Sequence, residues 1–123
     1  MKTAVLGAGA WGTALAHMLA DNGVETVLWS RNQSVVDDIR ENRLNSRYLP
    51  GVNLSDRLKA ETDIETALNS AQCHLLVIPS QHIRSALEEF RDLLPDNPII
   101  VCASKGIELG TLKPLSKVVS EAL

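Results

Sequence analysis

Short apolar runs alternate along this chain with segments whose apolar positions recur every three or four residues, the pattern of buried strands interleaved with amphipathic helices. Thr3-Ala4-Val5-Leu6 predicts a first strand. Leu15, Met18 and Leu19 predict the inner face of a helix that Gly23 stops, and Thr26-Val27-Leu28-Trp29 a second strand. Val35, Val36 and Ile39 mark a second helix, Lys59-Ala60-Glu61 a short edge strand, and Asp63 caps a short helix reaching Leu68. His74-Leu75-Leu76-Val77-Ile78 reads as a central strand covered on both faces, followed by a helix over 83–94 that buries Ala86, Leu87 and Phe90. Ile99-Ile100-Val101-Cys102 predicts another buried strand, and residues 112–123 a last helix facing inward through Leu115, Val118, Val119 and Leu123. Strands regularly separated by helices imply a doubly wound parallel α/β sheet, expected in the order 3-2-1-4-5, formed by residues 1–123 as one domain.

Composition narrows the function classes. With 123 residues, 45% hydrophobic and 22% charged, and a net charge of −3, the chain lacks the basic excess of a nucleic-acid binder. No apolar run approaches membrane-spanning length, and Met1-Lys2-Thr3 enters a strand without the apolar core of a signal peptide, so a cytoplasmic protein is expected. Cys73 and Cys102 lack metal-type spacing and are expected to be reduced, buried thiols. His17 and His74 are assigned no chemistry, His82 is a candidate acid or base set against a water-exposed histidine at a helix start, and no metal site is expected.

Chemistry enters at Gly7-Ala8-Gly9-Ala10-Trp11-Gly12, where the first strand runs into the first helix. Gly7 suits the tight turn, Gly9 lets backbone approach a pyrophosphate, and Gly12 lets the helix pack on its strand. Free amides and the dipole at the helix start then attract that anion. About 20 residues further on, where such units often carry an acid for the ribose 2′-hydroxyls, this chain carries Arg31. A guanidinium pairs with a 2′-phosphate or lies flat on adenine, which permits NADP as well as NAD and leans toward NADP; a solvated arginine at a helix start is the alternative. Tyr48, in the loop Asn45-Ser46-Arg47-Tyr48-Leu49-Pro50-Gly51, is a candidate either for ligand contact or for surface packing. Pro79, Ser80 and Gln81 end the fourth strand on the crevice side and are candidates for the nicotinamide end. Lys105, at the rim after the fifth strand, could neutralise a substrate phosphate or carboxylate, or be a solvated lysine.

Taken together, Gly7-Ala8-Gly9-Ala10-Trp11-Gly12-Thr13-Ala14-Leu15-Ala16, Trp29-Ser30-Arg31, Tyr48-Leu49-Pro50-Gly51, Val77-Ile78-Pro79-Ser80-Gln81 and Ser104-Lys105-Gly106-Ile107-Glu108 with Gly110-Thr111-Leu112 resemble the N-terminal half of bacterial NAD(P)-dependent glycerol-3-phosphate dehydrogenases. The resemblance implies an oxidoreductase that interconverts dihydroxyacetone phosphate and sn-glycerol 3-phosphate and supplies phospholipid synthesis. It implies cofactor contacts from Ala10, Trp11, Arg31 and Tyr48, and contact of Lys105 with both cofactor and substrate. Family members often carry serine at the position of Ala10, so here the backbone N–H remains without a hydroxyl. They continue into a helical C-terminal domain bearing the proton-transfer lysine, so no catalytic residue is expected in this chain. The chain on its own is expected to bind dinucleotide and to turn over substrate poorly or not at all. A homodimer is compatible with the sequence. Rival readings are a related hydroxyacid or hydroxyacyl dehydrogenase and a stand-alone dinucleotide sensor.

Overall fold

The computed structural model describes residues 2–103 and 115–123. Its elements are β1 (Lys2–Leu6), α1 (Ala10–Asp21), β2 (Glu25–Trp29), α2 (Gln33–Asn42), β3 (Lys59–Glu61), α3 (Ile64–Leu68), β4 (Cys73–Leu76), α4 (Ile83–Phe90), β5 (Ile99–Cys102) and α5 (Leu115–Ala122). The strands form one parallel sheet in the order β3-β2-β1-β4-β5, as the alternation predicts. β1 is central, with Leu6 opposite both Trp29 and Leu76, so its carboxyl end lies where the chain has strands to both sides.

Period-two alternation along the buried strands divides the core between the two faces of the sheet. Ala4, Leu6, Val27, Trp29 and Leu76 pack with Ala67 and Leu68 of α3, with Ile83, Leu87 and Phe90 of α4, and with Val118 and Ala122 of α5. On the other face, Val5, Leu28 and Leu75 meet Ala16 and Ala20 of α1 and Val35, Val36 and Ile39 of α2. Local chemistry fixes the helix ends. Asn32 caps α2 by accepting from the Ser34 amide at 3.0 Å, and Asp63 caps α3 by accepting from the Thr66 amide at 3.3 Å.

Several boundaries and faces differ from the sequence expectation. β4 ends at Leu76, two residues early, although the Val77 amide still donates to the Leu6 carbonyl at 2.9 Å. α4 ends at Phe90 and tightens into a 3-10 turn over Arg91–Leu93. Met18 is 52% exposed, because α1 lies so close to the sheet that its small residues Gly12, Thr13, Ala16 and Ala20 form the buried stripe. β5 is not fully buried. It is the last strand of the sheet among the described residues, and Ile99 and Val101 on its open face are 48% and 44% exposed. In α5, Ala122 is buried where Leu123 was expected, and Leu123 is exposed. Cys73 and Cys102 form no disulfide with each other and are half-buried, not buried as expected; Cys102 lies on β5 at the end of the sheet order.

His74 is wholly buried on β4, with Nδ1 3.3 Å from the Ile99 carbonyl oxygen and no partner for Nε2 among the described residues. A carbonyl only accepts, so Nδ1 carries the proton and Nε2 is the unpaired acceptor. Burial lowers the pKa of His74 from its ordinary 6.5, against a smaller raising effect of the Ile99 carbonyl. The unfolded chain therefore takes up this proton more readily than the folded one, and stability falls as pH drops below 6.5. Thermal melts between neutral and mildly acid pH should show this loss, and His74→Leu should flatten the dependence; identical slopes in both proteins would contradict it.

Candidate functional site

The carboxyl ends of β1 and β4 open onto a crevice whose floor is the turn between β1 and α1. Gly7 has φ of 121°, and a Cβ there would overlap the Val77 carbonyl oxygen, so both conformation and space require glycine. A Cβ at Gly12 would overlap the Gly7 carbonyl oxygen. This contact seats the first turn of α1 on the end of β1. Gly9 is different, with φ of −70° and nothing within 4 Å of a Cβ placed there, so the fold makes no demand for glycine at this position.

The first turn of α1 is left open electrically as well as sterically. No side chain caps it and no acidic residue lies in it, while the first ladder bond runs from the Thr13 amide to the Gly9 carbonyl at 3.0 Å. The amides of Ala10, Trp11 and Gly12 precede that bond and have no partner within the helix. With the helix dipole they make a site for an anion.

Two adjoining cavities surround this turn. One, of about 730 Å³, is lined by residues 7–12 with Ser30, Asn32, Tyr48, Val77, Ile78, Pro79 and Ala103. The other, of about 430 Å³, shares Gly7, Ala8, Ser30, Ile78 and Pro79 and extends along Trp29, Arg31, His82, Ser85 and Ala86. Among the described residues no carboxylate lines either. The structure thus brings Gly7, Gly9, Ala10, Trp11, Gly12, Tyr48 and Pro79 to the first cavity and Arg31 to the second. Gln81 is exposed in the 3-10 turn Ser80–His82 and lines neither, and Lys105 lies outside the described residues.

Arg31 leaves the end of β2 beside a fixed aromatic platform. Trp29 is buried, donates from Nε1 to the Thr62 carbonyl at 2.9 Å and meets Phe90 edge-on at 5.2 Å between ring centroids. The Arg31 guanidinium carbon lies 5.5 Å from the Trp29 ring, and its Nη2 donates to Glu89 Oε2 at 2.8 Å.

Sequence reasoning missed the residue that holds the Tyr48 loop. Asn45 is fully buried, and its Nδ2 donates to the Ala8 carbonyl at 3.1 Å and to Thr13 Oγ1 at 2.8 Å. Its Oδ1 accepts from the Tyr48 amide at 3.2 Å, and its carbonyl from the Leu49 amide at 2.8 Å. One side chain therefore ties the loop to the glycine turn. Nearby, Asp38 Oδ2 accepts from the Ser46 amide at 2.9 Å; that bond, and then one from Asn42, hold the Asp38 carboxyl below its ordinary range. The one signal in the sequence was an asparagine placed to cap the amides three and four residues on. His82 and Ser85, also lining the second cavity, carried no signal beyond their helix-start position.

A parallel sheet wound in both directions from its central strand, with a glycine-cornered anion site at the switch point, defines the class: a doubly wound α/β domain built to take a ligand across its crevice. Residues 2–123 match the family model described as the N-terminus of NAD-dependent glycerol-3-phosphate dehydrogenase, and the chain belongs to that family. It is 50% identical over 123 residues to the protein of Maridesulfovibrio salexigens named glycerol-3-phosphate dehydrogenase, NAD(P)+, and 45% identical to the Carboxydothermus hydrogenoformans protein of the same name. Both alignments cover 100% of this chain and 37% of the relative, so the chain spans little more than a third of their length. The crystal structure of glycerol-3-phosphate dehydrogenase from Coxiella burnetii superimposes with a TM-score of 0.92 at 34% identity, over 99% of this chain and 37% of that one.

Replacing Asn45 with Ala would remove its side-chain bonds to the Ala8 carbonyl, Thr13 Oγ1 and the Tyr48 amide, while Thr13 Oγ1 still donates to the Ala8 carbonyl at 3.2 Å. The expected cost is about 2 kcal/mol in urea unfolding, the scale of losing several net hydrogen bonds at one buried side chain. A variant as stable as the parent would contradict the role given to Asn45.

Proposed function

We propose that this chain is the dinucleotide-binding part of an NAD(P)-dependent glycerol-3-phosphate dehydrogenase. The whole enzyme would interconvert dihydroxyacetone phosphate and sn-glycerol 3-phosphate in the cytoplasm and feed phospholipid synthesis. Family membership supports this reading, and so does the fit of the crevice to the cofactor. The observation that carries the fit is Gly9: the fold does not need a glycine there, and the position lines the open cavity at the start of α1, where the first-turn amides have no helical partner.

In this reading, Gly7 and Gly12 shape the turn, Gly9 leaves it open, and the amides of Ala10, Trp11 and Gly12 hold the pyrophosphate. Ala10 offers its amide alone. Arg31 takes the adenosine end along the second cavity, and Tyr48 and Pro79 border the end that receives the nicotinamide. Bound NAD(P)H supplies a hydride to the carbonyl carbon of the phosphoketone. Lys105 would engage both cofactor and substrate phosphate by charge, a positioning role distinct from proton transfer. The proton-transfer lysine and most of the substrate pocket would lie in the part of the enzyme that this chain does not span. Residues 1–123 alone would therefore bind dinucleotide with little or no turnover.

Two glycine substitutions separate binding from folding. Gly9→Ala should leave the melting temperature unchanged or slightly higher, since its φ is ordinary and its Cβ meets nothing. It should weaken NADH and NADPH binding, read by Trp fluorescence, by about tenfold or more, equivalent to about 1.4 kcal/mol. Gly12→Ala gains about 1 kcal/mol of helix propensity but drives a methyl into a backbone oxygen, and a net destabilisation of about 2 kcal/mol is expected. A folded Gly9→Ala protein with undiminished affinity would overturn the proposal.

A further inference from the structure

The ion pair between Arg31 and Glu89 joins positions 58 residues apart, with side chains 65% and 55% exposed. Pairs this exposed add little to stability, so its significance lies in where it sits. Arg31 lies two residues beyond the end of β2, at the rim of the second cavity, with its guanidinium beside the Trp29 ring. Glu89 reaches the same point from α4, one turn beyond Ser85 and Ala86, which line that cavity.

Glycine-turn units of this type commonly carry a carboxylate at the end of the second strand, where it accepts the ribose 2′-hydroxyl and repels a 2′-phosphate. Here that position is arginine, but the fold restores a carboxylate beside it from a different element. A ligand arriving at this end meets a paired guanidinium. A 2′-phosphate must draw Arg31 away from Glu89 and remain close to the carboxylate charge, whereas a 2′-hydroxyl leaves the pair intact and is a donor that the carboxylate can accept. Resting on the dinucleotide reading above, we propose that Glu89 is a specificity-determining residue: by holding Arg31 it biases the site toward the dinucleotide with a free 2′-hydroxyl and against the 2′-phosphorylated one.

The test is titration of NADH and NADPH, by Trp fluorescence at low ionic strength, into the 123-residue protein and two variants. Glu89→Gln should tighten NADPH about tenfold, the scale of removing one charge close to a dianion, while NADH stays within about twofold. Glu88→Gln removes the same charge from the neighbouring exposed position, which has no ion pair with Arg31, and should alter the NADPH-to-NADH ratio by less than about twofold. An unchanged ratio in Glu89→Gln, or an equal shift in Glu88→Gln, would overturn the inference. Failure of the parent protein to bind either dinucleotide would remove the dinucleotide reading and this inference with it. Binding of both with an unaltered ratio in Glu89→Gln would remove this inference alone.

Discussion

The contact on which the architecture depends is the approach of α1 to the end of β1, where Gly12 rests against the Gly7 carbonyl with no room for a methyl group between them. That approach makes Ala16 and Ala20 the buried stripe of α1 and turns Met18 to solvent. It also presents the first-turn amides at the carboxyl edge of the sheet. Packing and ligand chemistry are here one constraint, because a helix held further off would bury larger side chains and aim its amides elsewhere. Asn45 extends the same constraint into the loop that carries Tyr48, through hydrogen bonds to Ala8 and Thr13 on either side of the turn.

The electrostatics follow from what the crevice omits. With no carboxylate lining either cavity among the described residues, the uncapped helix start acts on an arriving anion without an opposing charge. Arg31 adds a formal positive charge at the second cavity, and its hold on Glu89 moderates that charge. Among the described residues, the helix start beside Gly9 is thus a place where negative charge is met by unopposed amides, which suits a ligand with an anionic bridge.

The sheet order was legible because strand and helix periods alternate cleanly and the glycine turn identifies β1 as the switch strand. Gly7 and Gly12 were legible as backbone necessities, and of the residues that the resemblance named, Ala10, Trp11 and Tyr48 line the first cavity and Arg31 the second. Side-chain partnerships across long sequence separations were not legible. Nothing in the chain near Arg31 announces Glu89, and nothing near the glycine turn announces Asn45, since both pairings arise only when separate crossovers meet at the sheet edge. Met18 and Leu15 look alike as apolar helix positions; only the depth to which α1 sinks onto the sheet separates them. The exposure of Ile99 and Val101 likewise depends on what covers β5, a property of neighbours and not of the strand's own residues.

The central claim is that the unpaired amides opening α1 grip the pyrophosphate of a dinucleotide. Amide-resolved NMR on the 15N-labelled protein during NADH titration tests it most directly. The account predicts the largest shifts at Ala10, Trp11 and Gly12, with Thr26 and Lys59 at the opposite edge of the sheet unmoved. Saturable shifts centred elsewhere, or no shifts in a well-dispersed spectrum, would contradict it.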